Sequence, residues 1–429
     1  MAGFNLVGHL HASAGLGITA RSFARVLEKH GHDVVGLDIS YGADPQRKTE
    51  AVDFDVVASA EALPYSHTLW FTAIQLLPSL WLRRLRRLQD SRFRNAGFLF
   101  WELPVLPKPW VPAVQLFDAL VVSSAFVKQT LETYVENKPV IFAEHPLLLP
   151  PALPPAHQVR AGLGIPDDAF VFCASFDLAG DVARKNPAAI VDVFRHAFPA
   201  DDGVQLVLKC NGDLAAAGEH PAIRAVLAHA ARDPRIRLVT ASMRYEEVLA
   251  LYNAADAYLS FHRAEGLGLG PMEAMALGKP VIATGFSGNT EYMTEQNSIL
   301  VPYRLVQTMG SRWQYTSRFA GKSAKWADID FHQAVEAVRR IRDDAVLRGT
   351  ISRRAHRDIQ ERQETAWEAA YIPRLIEALD AGGADLDRSL LTRKLRRAEF
   401  FNPLLMELNA KASFRRFSRH VYNKTPHWG

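Results

Sequence analysis

The chain has 429 residues, 48% of them hydrophobic and 22% charged, at a mean hydropathy of −0.07. That composition excludes disorder for most of its length and predicts two or three domains, each with its own core. Two cysteines, Cys173 and Cys210, exclude a disulfide framework, and the net charge of +4 is concentrated in residues 381–429, where ten Lys or Arg face four Asp or Glu. The basic pI of 9.0 is therefore a local property, and nucleic acid is not an expected partner.

Residues 4–10 form a strand-length run where a secretory leader would carry a basic and then a long apolar segment, and no run reaches the ~18 apolar residues of a membrane span. A cytoplasmic protein is expected. Phe23, Val26 and Leu27 recur at helical spacing, Gly31 stops that helix, and residues 33–39 read as the next strand, which makes a βαβ unit. Further strands are predicted over 68–76, 96–102 and 119–123, the last followed by a helix over 125–134. Five prolines between 146 and 155 suit neither a helix interior nor a central strand, so an interdomain linker is placed there. Beyond it, strands over 170–175, 205–209, 236–239, 257–261 and 280–284 alternate with helices over 187–198, 245–254 and 271–277, Asn186 serving as an N-cap before Pro187. The expected fold is α/β: two Rossmann-like, doubly wound parallel domains, 1–150 and 156–362.

The most informative segment is His262-Arg263-Ala264-Glu265-Gly266-Leu267-Gly268-Leu269-Gly270-Pro271-Met272-Glu273. A strand over 257–261 delivers Glu265 to the carboxyl end of a sheet, where open α/β sheets bind ligands, and Glu273 is expected in the first turn of the next helix. Two carboxylates, a glycine-rich loop and the free amides of a helix N-terminus suit a polyhydroxylated, anionic ligand. The alternative leaves Glu273 as a charge at the helix end and Glu265 in solvent.

This segment resembles the E-x7-E signature of the retaining family-4 glycosyltransferases (glycosyltransferases group 1), as does the run through Val281-Ile282-Ala283-Thr284 and Ser287-Gly288-Asn289. The resemblance implies the GT-B fold with an interdomain cleft and a helix near 365–379, bearing Trp367 and Tyr371, that crosses back to the first domain with the residues up to 429. It implies that Glu265 lies beside the donor sugar and that Glu273 binds the ribose hydroxyls. Gly266, Leu267, Gly268 and Leu269 would line the donor, and backbone near Ala241–Arg244 would meet the base. Gly15 and Gly17, in Ser13-Ala14-Gly15-Leu16-Gly17, stand where helix-terminal amides can meet phosphate, or simply where a tight turn needs glycine; they are similar to the family's N-terminal loop over the diphosphate.

Arg184-Lys185-Asn186-Pro187 places two cations before a helix, either as a solvated pair or as a charge trap for a departing diphosphate. Lys185 matches the family's lysine. The family's accompanying arginine has no match, since Phe176-Asp177 stands near its place, and Arg184 and Lys209 are the candidates for the second cation. Glu102, after Trp101 where many members carry histidine, is read as a catalytic-site group orienting acceptor or donor hydroxyls or as the partner of an arginine, and Ser123-Ser124 resembles the family's serine at the interdomain edge.

Asp328-Ile329-Asp330 and Asp385-Leu386-Asp387 read as solvated helix starts, and no set of residues has metal-ligand spacing, so neither metal nor cofactor is expected. Residues 82–94 and the tail with Arg393, Lys394, Arg396, Arg397, Phe400, Phe401, Phe414, Arg415, Arg416 and Phe417 mix cations with apolar groups, which suits an anionic membrane interface, a protein contact or a solvated face. The reading is a retaining hexosyltransferase acting from a nucleotide diphosphate sugar (GDP-mannose or a UDP-hexose) on a saccharide or lipid-linked saccharide acceptor. The rival is a protein of the same fold that binds sugar nucleotides without transferring them.

Overall fold

The computed structural model describes residues 2–39, 50–178, 180–212, 220–309, 315–382 and 388–399. Seven strands form the first sheet: β1 (Gly3–Gly8), β2 (Asp33–Asp38), β3 (Asp55–Val57), β4 (His67–Phe71), β5 (Arg94–Phe98), β6 (Ala119–Val122) and β7 (Val140–Phe142). They lie in the order β3-β2-β1-β4-β5-β6-β7, all parallel. Six strands form the second: β8 (Phe170–Asp177), β9 (Val204–Asn211), β10 (Ile236–Val239), β11 (Ala257–Ser260), β12 (Val281–Thr284) and β13 (Ile299–Val301). Their order is β10-β9-β8-β11-β12-β13, again parallel. Strands such as β4 and β12 are buried along their whole length, which is why they read as near-continuous apolar runs rather than as alternations.

Each sheet reverses its winding once, between β1 and β4 and between β8 and β11. Ligands of open α/β sheets bind at such switch points, beyond the carboxyl ends of the strands. The loops there carry Gly15 and Gly17 on one side and Glu265 to Leu269 on the other.

Two elements depart from the predicted pattern. The single helix expected over 365–379 is two, Ala345–Glu368 and Tyr371–Ala381, because Ala369 adopts a left-handed conformation (φ 52°) and turns the chain. The second of them lays Tyr371, Ile372, Leu375 and Leu379 onto the core of the first sheet. An antiparallel pair, β14 (Tyr303–Gln307) and β15 (Lys325–Ile329), stands outside both sheets. Asp328 therefore lies on a strand, where it pairs with Arg263 and Arg304, whereas Asp330 does cap a helix, accepting from the Gln333 amide.

The helix Arg388–Glu399 packs Leu391 and Leu395 into the same core as Trp81, Leu85 and Leu88. Residues 385–387 and the tail from 400 onward lie outside the described residues. Among the described residues, no helix is long and apolar enough to cross a membrane. Cys173 and Cys210 are both free and buried.

Candidate active site

The site is built from a short helix, Val182–Lys185, set against the loop that follows β11. Asp181 caps that helix by accepting from the Arg184 amide, and the Arg263 amide donates to the Arg184 carbonyl at 2.7 Å. Asn186 is not the side-chain cap that its position suggests. It takes the left-handed conformation between the two helices (φ 55°), a region asparagine tolerates, and its side-chain amide donates to the Phe261 carbonyl at 3.1 Å.

This fixes two cations on one carboxylate. Glu265, 7% exposed, receives Lys185 Nζ at 2.6 Å and Arg184 Nη1 at 3.2 Å. Burial alone would raise its pKa, but Lys185 and Arg184 outweigh burial and hold it down to about 2. The two cations thus favour the ionised form of Glu265.

Arg184, buried, also donates to the Ala264 carbonyl at 2.8 Å and pairs at 3.5 Å with Glu102 from the first half of the chain. Glu102 accepts in turn from the Tyr315 hydroxyl at 2.8 Å, and the Tyr315 ring stacks on Trp101 with centroids 5.6 Å apart. Tyr315 was invisible to sequence reasoning: it lies 213 residues from Glu102 and in no motif. Ser124 spans the halves as well, donating to the Gly266 carbonyl at 2.6 Å.

The glycine loops meet across the cleft. A methyl group on Gly15 would lie 3.4 Å from Leu269 Cδ1, and one on Gly17 would fall 2.2 Å from the Ala12 carbonyl oxygen, a position only glycine can occupy. Arg21 braces this loop by donating to the carbonyls of Leu10 and Ala12 at 2.7 and 2.8 Å. Gly268 has φ +88° and begins the helix Leu269–Ala276, its carbonyl accepting from the Tyr292 hydroxyl, and Leu267 is buried beneath.

That helix starts two residues earlier than expected, so Glu273 sits in its second turn rather than its first. Glu273 is 3% exposed, and burial pushes its pKa up to about 7, the Tyr245 hydroxyl opposing only part of the rise. It is thus a buried carboxyl, not a charge compensating a helix end.

Lys209 does not join the cluster. Its ammonium donates to the Asn211 side chain and to the carbonyls of Cys210 and Ala241, at 3.3 and 3.1 Å for the latter two, tying β9 to the loop before residue 244. Arg244 is exposed and pairs with Glu246 at the start of the helix Tyr245–Ala254. Among the described residues, no group of three or more His, Cys, Asp or Glu is arranged to hold a metal ion.

Residues 179–312, which include Arg184, Lys185, Glu265 and Glu273, match the family model described as glycosyl transferases group 1. No curated protein matches the chain in sequence. Sucrose-phosphate synthase from Thermosynechococcus elongatus is similar in structure, with a TM-score of 0.65 at 17% identity over 89% of this chain and 100% of that one. HepE of Anabaena, solved with UDP and glucose, gives 0.61 at 14% identity over 88% and 100%. The trehalose-6-phosphate synthase OtsA gives 0.57 at 11% identity over 87% and 99%. The fold is GT-B, and the matched segment carries a glycosyltransferase group 1 domain.

Proposed function

We propose that the chain is a retaining hexosyltransferase, moving a sugar from a nucleotide diphosphate donor, GDP-mannose or a UDP-hexose, to a hydroxyl of a saccharide or lipid-linked saccharide. One observation carries the reading: an ionised, buried Glu265 held by Lys185 and Arg184 at the switch point of the second sheet, facing Glu102 across the cleft.

Departure of a nucleoside diphosphate leaves negative charge on the β-phosphate and positive charge on the sugar ring. Lys185 and Arg184 suit the first, and the Glu265 carboxylate suits the second. Because both cations already neutralise carboxylates, the site presents no large excess of charge to the ground state; the ion pairs can be redistributed as charge separates. Arg184 takes the place of the family's missing arginine, and Glu273 holds the ribose. Glu265, its pKa held down by two cations, is a weak base, and Glu102 is occupied by Arg184 and Tyr315. The acceptor proton then passes to the leaving diphosphate on the same face of the sugar, which gives retention.

The test is a thermal-shift panel of sugar nucleotides, followed by turnover with the donor that binds. A ligand at 100 times its Kd stabilises by about 2.7 kcal/mol, a readily measured shift. Binding followed by transfer to a saccharide supports the reading; binding with no turnover on any saccharide or lipid-linked acceptor leaves a sugar-nucleotide binding protein instead. The expected location is the cytoplasm, and the basic surface suits the inner face of a membrane, a protein contact or solvent.

A further inference from the structure

The helix Tyr245–Ala254 begins with a tyrosine whose surroundings are unusual. The Tyr245 amide donates to Glu50 Oε1 at 2.7 Å, a carboxylate contributed by the first half of the chain, so its backbone is fixed across the cleft. Its side chain is 8% exposed, yet the hydroxyl has no hydrogen-bond partner among the described residues. Glu273 Oε1, in the helix Leu269–Ala276, is buried and lacks a partner in the same way. The two groups face one another closely enough for the phenol to lower the carboxyl's pKa and the carboxyl to raise the phenol's, yet not with the geometry of a full hydrogen bond. The neighbouring tyrosines differ: Tyr252 and Tyr258 both spend their hydroxyls on Ser175, at 2.5 and 2.8 Å.

Folded proteins rarely leave two buried oxygens unsatisfied side by side, because each has given up its hydrogen bonds to water. The pair becomes satisfied when a ligand supplies both a donor for the carboxylate and an acceptor for the phenol. A vicinal diol does this with two adjacent groups. Each hydroxyl can donate to Glu273 while an oxygen of the pair accepts from Tyr245, whereas a phosphate would set two anions together and an amine would leave the phenol unmatched.

We propose that Tyr245 is the second arm of a diol-binding slot whose first arm is Glu273, so that the ribose hydroxyls of the donor are read by a phenol as well as by a carboxylate. This rests on the donor reading given above and adds a specificity-determining residue to it. Glu50 makes the slot depend on closure, since it anchors the backbone that carries the phenol.

The experiment is calorimetric titration of the full chain with UDP, GDP and ADP and with the 2′,3′-dideoxy form of each, for the wild type, Tyr245→Phe, Glu273→Gln and the double variant. The wild type should bind at least one ribonucleotide and bind its dideoxy form at least tenfold more weakly. Tyr245→Phe should lose roughly tenfold for the ribonucleotide, the scale of one hydrogen bond, and little for the dideoxy form, so that discrimination shrinks. The double variant should lose less than the sum of the two single losses, because both residues read one diol. Undiminished discrimination in Tyr245→Phe overturns the slot, as does a wild type that binds ribo and dideoxy forms alike. Should Tyr245→Phe not fold, the wild type and Glu273→Gln decide, since dependence on Glu273 alone for all diol discrimination removes the tyrosine. Failure of every nucleoside diphosphate to bind the wild type overturns the donor reading itself.

Discussion

Lys185 and Glu273 carry opposite electrostatic histories, and each makes a measurable claim. Lys185 is one of two cations on Glu265, and its proposed work is done when the diphosphate leaves. Lys185→Ala should therefore lower kcat by ~10²–10³, the scale of removing one electrostatic stabiliser, with a smaller change in donor affinity; steady-state kinetics and titration of the donor separate the two. A loss below tenfold beside a severe Arg184→Ala would shift the role to Arg184. Glu273 works through burial instead, which lifts its carboxyl from 4.5 to about 7. The unfolded chain gives up that proton first. Between these two pH values the native state holds a proton that the unfolded state lacks, so this group makes stability fall as pH rises, by up to about 1.4 kcal/mol per unit, and adds no slope above 7. Glu273→Gln should flatten the nucleotide-free stability profile in that window, which urea denaturation at pH 5 and pH 7 reads as a difference from wild type. Equal slopes in the two proteins would mean that Glu273 is ionised when empty.

At the scale of elements, a strand, a glycine loop and a helix in sequence were legible because their requirements are local. Gly268 needs its positive φ, the helix Tyr245–Ala254 starts and stops where its pattern does, and Arg184 and Lys185 precede a proline at a helix start. The three-residue edge strands β3 and β7 are too short to show a period, and nothing in an alanine announces the left-handed turn at Ala369. Tyr315 reaches the site only because β14 and β15 frame it, a long-range fact with no local signature. The basic surface was half legible. Four of its leucines, Leu85, Leu88, Leu391 and Leu395, are buried in the protein's own core and so are spent on packing rather than on a bilayer, while Leu390 is exposed. Its exposed cations remain: Arg86, Arg87 and Arg92 on one segment, and Arg393, Lys394 and Arg396 on the helix Arg388–Glu399 that packs beside it. If this face contacts anionic lipid, the triple charge reversal R393E, K394E and R396E should reduce co-sedimentation with anionic vesicles while leaving Tm unchanged. Truncation is a poorer test, since it would strip Leu391 and Leu395 from the core. Binding by the wild type should also fall with salt, as the screening length shrinks from ~10 Å at 0.1 M to ~3 Å at 1 M. Equal pelleting with neutral vesicles would assign these cations to solvent or to a protein contact.

For the whole molecule, the two halves meet around the cluster itself. Ser124 holds the Gly266 carbonyl, Glu291 accepts from the Ala125 amide at 2.6 Å, Glu50 holds Tyr245, and Arg184 bridges Glu102 to Glu265. The cavity left beside Lys185 and Glu265 is about 40 Å³, far below the ~300 Å³ or more of a ligand pocket. On the proposed reading, a donor enters as the halves separate, and Glu102 and Tyr315, which meet Arg184 from across the cleft, would return with closure. That closure bears on the stereochemistry. An inverting transfer needs a carboxylate or histidine free to take the acceptor proton on the face opposite the leaving group. Here Glu265 is ion-paired to two cations that make it a weak base, Glu102 is shared between Arg184 and Tyr315, and His262 is buried between Ser260 and Asn289, hydrogen-bonded to both. With these groups committed, the proposed base is the leaving diphosphate, with attack from its own side. In the proposed reaction, Lys185 and Arg184 together would supply the positive charge that such a phosphate otherwise takes from a divalent ion. The product should keep the donor's anomeric configuration, and EDTA should leave turnover intact. Proton NMR of the first-formed product reads the anomeric centre directly: an inverted product would overturn the assignment of these roles, and retention that requires Mg²⁺ would mean that the two cations do not suffice for the leaving group.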